Sequence, residues 1–215
     1  MMTGRRGYWS SAAALPAAQK AMLGLLLAAV ALANIDQPYP ELAVLQHMPT
    51  VLLALAAPLL LRRWPLSTAS VASLWLFLLL HTLGARYIYS YVPYDQWAGA
   101  LTGARPSDLF GWSRNHYDRF VHVAFGLLST LPLREALVRR HGISLALGLF
   151  IAFACVAMAG ALYEIFEWAL TLVAAGDMAD QYNGQQGDVW DAQKDMACAQ
   201  AGSAAAIVLA WTRAR

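Results

Sequence analysis

The strongest constraint in this sequence is the gathering of its apolar residues into six blocks, at approximately 17–35, 48–61, 67–91, 117–138, 143–175 and 189–212. A membrane-spanning helix needs about 20 predominantly apolar residues, and all of the blocks but the second approach or exceed that length. The second is short and holds Pro49 and Pro58, which predicts a re-entrant or tilted segment. With 59% hydrophobic and 13% charged residues, a water-soluble fold of this size could not hide its apolar surface, because soluble domains carry about twice that charged share. The expected fold is therefore all-α: an integral membrane protein whose single domain, 1–215, is a bundle of about six transmembrane helices. Cys155 and Cys198 fall inside apolar blocks and read as small buried hydrophobes, so no disulfide is expected.

Charge then sets the orientation. The net charge of +2 is too small, and its cations too scattered, for nucleic acid to be a partner, which leaves membrane lipids. Arg5, Arg6 and Lys20 precede the first block, Arg62 and Arg63 follow the second, Arg134, Arg139 and Arg140 follow the fourth, and Arg213 and Arg215 end the chain. These fall on one side. The opposite loops hold Asp36 and Glu41, then Arg105 and Arg114 beside Asp95 and Asp108, then Asp177, Asp180 and Asp188 without any Lys or Arg. The positive-inside rule accordingly predicts that both termini are cytoplasmic. The first block has the look of a cleavable leader, with Ala31-Leu32-Ala33 before Asn34, but Lys20 interrupts it and its apolar run is close to a full span, so it is expected to be retained. The longest loop, 92–116, carries Tyr94, Trp97 and Trp112, residues that favour headgroup depth.

Four blocks deliver ionisable groups to the same, non-cytoplasmic depth. The third carries His81 and Arg86 near its exit; the fourth opens with Asp118, Arg119 and His122; the fifth holds Glu164 and Glu167; the sixth opens with Asp191, Lys194 and Asp195. Asp118 and His122 are four apart, Glu164 and Glu167 three apart, and Asp188, Asp191 and Asp195 three and four apart, so each set shares one helical face. Charge facing lipid costs a few kcal/mol or more, so these stripes are expected to turn inward and meet.

Several readings of that meeting remain open at this point. The first is a structural ion-pair network, Arg86, Arg119 and Lys194 against the carboxylates. A second rests on the surplus of five carboxylates, Asp118, Glu164, Glu167, Asp191 and Asp195, over those three cations: His122, His81, Glu164, Glu167, Asp191 and Asp195 could hold a divalent transition metal such as zinc, manganese or iron. A third gives Arg86, Arg119 and Lys194 to an anionic lipid headgroup, with a carboxylate or His122 as acid or base, so that an envelope amphiphile is bound or modified. No nucleophile stands out, and whether the chain is an enzyme is left open. Ion or proton transport ranks last, because the cytoplasmic halves of the blocks are almost purely apolar, with Ser129, Thr130 and Ser144 as weak exceptions. Small residues such as Gly148, Gly160, Gly202 and Ser203 suit close helix packing, within the chain or in a homo-oligomer.

Three runs carry a resemblance: Tyr117-Asp118-Arg119-Phe120-Val121-His122, then Tyr163-Glu164-Ile165-Phe166-Glu167-Trp168, then Gly187-Asp188-Val189-Trp190-Asp191-Ala192-Gln193-Lys194-Asp195-Met196. In these the chain resembles the YjdF family of bacterial inner-membrane proteins, from about residue 17 to the C terminus. The resemblance implies a multi-pass inner-membrane protein and brings no established activity with it. More distantly, an Asp-basic-x-x-His helix start followed by a Glu-bearing helix is similar to the VanZ-like membrane proteins, linked to glycopeptide-antibiotic resistance. Those tend to carry Gln and Asn where this chain has Glu167 and Asp195.

Overall fold

The computed structural model describes residues 7–173 and 184–214, the side chains of 213 and 214 excepted. Arg5, Arg6, Asp177, Asp180, Arg215 and the Arg213 side chain, all used above in the orientation argument, lie outside the described residues. Among the described residues the regular structure is entirely helical: α1 (Tyr8–Ala13), α2 (Ala17–Ala33), α3 (Pro40–Arg63), α4 (Thr68–Arg86), α5 (Tyr94–Thr102), α6 (Pro106–Phe110), α7 (Tyr117–His141), α8 (Leu145–Val173) and α9 (Asp191–Ala214).

Four of these, α3, α4, α7 and α8, are both long enough and apolar enough to cross a membrane. Helix α2 is equally apolar but has 17 residues, about 25 Å at 1.5 Å per residue, somewhat under the usual hydrocarbon thickness. Helix α9 has 24 residues and length to spare, but opens with Asp191, Lys194 and Asp195. Leu52, Phe150, Leu162, Trp168 and Leu172 stand exposed on the helices, which suits side chains whose solvent is lipid.

Two element boundaries differ from those the apolar blocks predict. The second block is no short re-entrant piece: α3 begins at Pro40 and runs 24 residues, continuing through Pro49 and Pro58. Pro40 occupies the first turn, where its missing N–H costs nothing, and Glu41 sits beside the positive end of the helix dipole. The early turns escape a hydropathy reading because their polar residues, Gln46, His47 and Thr50, are buried against the rest of the bundle. The third block, by contrast, stops early. Helix α4 ends at Arg86, and Ile88 and Tyr89 adopt left-handed backbone (φ 41° and 57°) that folds the chain back along it. Gly84 makes room for that return: a Cβ there would lie 2.7 Å from the Tyr89 ring.

Helix α7 is the hub, packed against α4, α8 and α9, while α2 and α3 reach it mainly through α4. Its contact with α9 is made backbone to backbone. A Cβ on Gly126 would overlap the Ala199 carbonyl oxygen, and one on Gly202 would overlap that of Val123. One turn further along, Thr130 Oγ1 and Ser203 Oγ hydrogen-bond at 2.6 Å, an interhelical bond of a kind that averages about 0.6 kcal/mol in membranes. Glu135 of α7 ties down the start of α4, accepting the Ser67 amide at 2.7 Å, the Ser67 hydroxyl at 2.8 Å and the Ser70 hydroxyl.

The 92–116 connection folds into α5 and α6. Asp95 joins them by accepting the Ser107 amide (2.9 Å) and hydroxyl (2.6 Å). Burial pushes the Asp95 carboxyl up, but the two Ser107 bonds and the Arg105 guanidinium outweigh it and leave the group below its ordinary value. Trp97, Leu101, Leu109, Phe110 and Trp112 remain exposed on this pair, a surface suited to headgroup depth.

Candidate functional site

The start of α7, the second half of α8 and the start of α9 converge at one end of the bundle. There the polar stripes meet in two layers. The first is a rim of fixed ion pairs. Arg114, just before α7, hydrogen-bonds Asp191, lies 3.6 Å from Asp188, and donates to the backbone carbonyls of Gln185 (3.2 Å) and Gly184 (3.3 Å). Arg119 bonds Asp188 and reaches Asp191 at 3.2 Å. Lys194 donates to both Asp188 oxygens, at 2.9 and 2.6 Å. Asp188 also accepts the Trp190 amide at 3.1 Å, which fixes the entry to α9. Lys194 first, then that amide and Arg119, hold the Asp188 carboxyl far below the usual carboxylate range. His116, at the N-cap of α7, is held below its ordinary value by burial first and then by the Arg119 and Arg114 charges, against the opposing pull of Asp191 and Asp188.

The second layer is acidic. His122 Nε2 lies 3.6 Å from Asp118 Oδ1 and 3.8 Å from Glu164 Oε1, and one donor atom each of Asp118, His122 and Asp195 lie within 4.8 Å of one another. Glu167 follows one turn along α8, with Tyr163 as its hydrogen-bonding neighbour. Arg119 Nε stands 3.9 Å from Asp195 Oδ1 without forming a hydrogen bond. Asp195 Oδ1 and Glu164 Oε1 are buried and have no hydrogen-bond partner among the described residues. Asp118 and His122 of this layer form part of the wall of a cavity of about 260 Å³, whose other walls are Phe77, His81, Tyr89, Val121, Phe125, Ala159, Gly160 and Tyr163.

The geometry thus gathers Asp118, His122, Glu164, Glu167, Asp191, Asp195, Arg119 and Lys194, with Asp191 and Lys194 belonging to the rim. Two residues grouped with them on sequence stand elsewhere. Arg86 closes the C-terminal end of α2, donating to the carbonyls of Ala33 (2.7 Å), Ile35 (2.8 Å) and Asp36 (3.4 Å). A guanidinium satisfied by the negative end of a helix is a capping group and is not free to hold a headgroup. His81 borders the cavity, but both ring nitrogens are taken. Nε2 faces the Gln46 carbonyl at 3.0 Å, which can only accept, so Nδ1 accepts from the Tyr89 hydroxyl. It has no lone pair left for a metal.

Conversely, Arg114 is a principal rim partner that spacing did not pick out, because it precedes the helix and shares no helical face with Asp118. The Asn115–Gln186 pair, with reciprocal bonds of 2.9 and 3.1 Å, holds the two loops in register and left no sequence signal at all.

The family model described as "Predicted membrane protein (DUF2238)" matches residues 18–215. The chain belongs to the DUF2238 family. Its match takes in both layers of the cluster. This DUF2238 chain is also 37% identical over 150 residues to "Inner membrane protein YjdF" of Escherichia coli (strain K12), an alignment covering 68% of this chain and 66% of that relative. The chain thus spans about two thirds of that curated relative's length, and like it is an inner-membrane protein. No solved structure matches this family member.

Proposed function

We propose that this protein sits in the bacterial inner membrane with both termini cytoplasmic, and that it binds the polar end of an envelope amphiphile at its non-cytoplasmic face. The orientation is supported by Arg62 and Arg63 ending α3 and Arg139 and Arg140 ending α7, at the opposite end of α7 from Asp118 and His122.

The observation that carries the binding reading is the composition of the 260 Å³ cavity: aromatic and aliphatic walls on one side, Asp118, His122, Tyr163, Tyr89 and His81 on the other. Such a division suits a molecule with a chain and a head. Helices α4 and α8 each pack on α7 but hardly on each other, which leaves the cavity approachable sideways from lipid. The head is not held by Arg86, Arg119 and Lys194, since the first caps α2 and the other two are engaged by aspartates. The surplus on the cavity side is acid, so a cation belongs to the bound state.

The rim favours a second role for part of the cluster. Arg114, Arg119 and Lys194 against Asp188 and Asp191 form an assembly device that locks α9 onto α7, and no ligand is needed to explain them.

Native mass spectrometry of the full chain released from bacterial membranes tests the binding reading. It should retain one amphiphile of defined mass, and Ala159→Leu, which narrows the cavity without touching the charges, should lower occupancy about tenfold, equivalent to about 1.4 kcal/mol. Equal retention by both proteins, or none by either, removes the reading.

A further inference from the structure

We infer that Asp118, His122 and Asp195, with Glu164 as a fourth donor, form a binding site for a divalent transition metal. The donors come from three helices and converge: one ligand atom each of Asp118, His122 and Asp195 fall within 4.8 Å of one another. His122 Nε2 is 3.6 Å from Asp118 Oδ1 and 3.8 Å from Glu164 Oε1. Both separations exceed hydrogen-bond range. They match the spacing of two donors that share one ion through bonds of about 2.0–2.2 Å, which puts neighbouring ligand atoms roughly 3–4 Å apart.

Acidic residues in company are no metal site by themselves. Here two further atoms point to a ligand. Among the described residues Asp195 Oδ1 and Glu164 Oε1 are buried without any hydrogen-bond partner, on side chains only 3% and 9% exposed. Buried polar atoms are nearly always satisfied, so two orphaned carboxylate oxygens beside one imidazole call for a partner that the described protein groups do not supply. The Arg119 guanidinium, turned to the rim, does not fill the role. A dication does: it satisfies both oxygens, uses the imidazole as a neutral donor and offsets the crowded negative charge. Oxygen donors with a single imidazole suit manganese(II), iron(II) or zinc(II), and exclude a thiolate-preferring ion. The cavity bordered by Asp118 and His122 supplies the entry path.

The inference stands apart from the amphiphile reading, because the metal alone is the probe. Full-length protein without a polyhistidine tag, in detergent and stripped by chelator, is titrated with Mn(II) and with Zn(II), and bound ion is counted by elemental analysis. One ion per chain is expected. His122→Ala and Asp195→Asn should each weaken binding by at least about a hundredfold, while Asp95→Asn, a carboxylate on α5 outside the cluster, leaves it unchanged. Should either cluster variant fail to fold, Mn(II) electron spin-echo spectra of the wild type decide: coupling to one imidazole nitrogen supports the site. Absence of that coupling, or a bound ion retained by folded His122→Ala, or no ion in the wild type, overturns it.

Discussion

The contact between α7 and α9 is built in two different ways along its length. At the site end the helices are joined by charge, Arg119 reaching Asp188 and Asp191, with Arg114 and Lys194 alongside. Two turns further on they are joined by shape, Gly126 and Gly202 bringing backbones together and Thr130 bonding Ser203. Lipid cannot drive apolar helices together, so either device must supply the association itself. The glycine contact is buried, as are the Thr130 and Ser203 hydroxyls beside it. The charged contact spends three cations on two aspartates and thereby leaves the carboxylates behind them, Asp118, Glu164, Glu167 and Asp195, without salt-bridge partners among the described residues apart from the distant Arg119 edge and His122. The difference teaches that the ion pairs hold the helices and the acid layer does not.

The largest break of this comparison is Arg119→Ala. It strips cationic partners from Asp188 and Asp191 and removes the guanidinium edge 3.9 Å from Asp195. Deleting one member of a buried pair typically costs about 3–5 kcal/mol, and the effect here should reach the lower part of that range, because Arg114 and Lys194 still hold the two rim aspartates. Denaturant titration in detergent measures it, and a loss under about 1 kcal/mol would make the charged contact ornamental.

Next comes the shape-driven end. Gly202→Ala places a methyl on the Val123 carbonyl, so α9 must move away from α7. A cost of about 1–3 kcal/mol is expected, in line with overpacking elsewhere. Gly24→Ala in α2 is the matched control, since nothing lies within 4 Å of a Cβ there; it should be neutral or stabilise by up to about 1 kcal/mol through helix propensity. Equal effects at the two glycines would show that the close approach carries no energy.

How much of this was readable beforehand depends on what the physics ties to single residues. The apolar blocks reveal the helices because lipid demands them residue by residue. The stripes at Asp118–His122, Glu164–Glu167 and Asp191–Asp195 reveal a shared depth, because helical spacing is fixed. Partner choice is another matter. Arg86 and Arg119 sit at the same depth, yet one caps α2 and the other pairs with α9, a distinction set by tertiary placement alone. The start of α3 stayed hidden because Gln46, His47 and Thr50 look like loop residues until a neighbour buries them. The end of α4 stayed hidden because Ile88 and Tyr89 turn left-handed without a glycine or proline to announce it.

The smallest effect sharpens the division between rim and acid layer through pH. Lys194 chiefly, then the Trp190 amide and Arg119, hold the folded Asp188 carboxyl below its unfolded value of about 3.9. A carboxyl depressed on folding contributes stability that is complete above the unfolded value and is lost as pH falls through the folded one. The rim should therefore be indifferent to pH between about 7 and 5 and weaken only below about 4. Asp188→Asn keeps the shape and removes the charge, so wild type and variant should differ at pH 7 and converge as acid protonates the wild-type carboxylate. Because Lys194 is half exposed, the difference at pH 7 should also shrink with added salt. Unfolding curves at stepped pH and two salt concentrations read both effects. A gap that opens or closes already between pH 7 and 5 would show that the rim cations do not hold the Asp188 carboxyl low, and the rim would no longer be a lock separate from the acid layer.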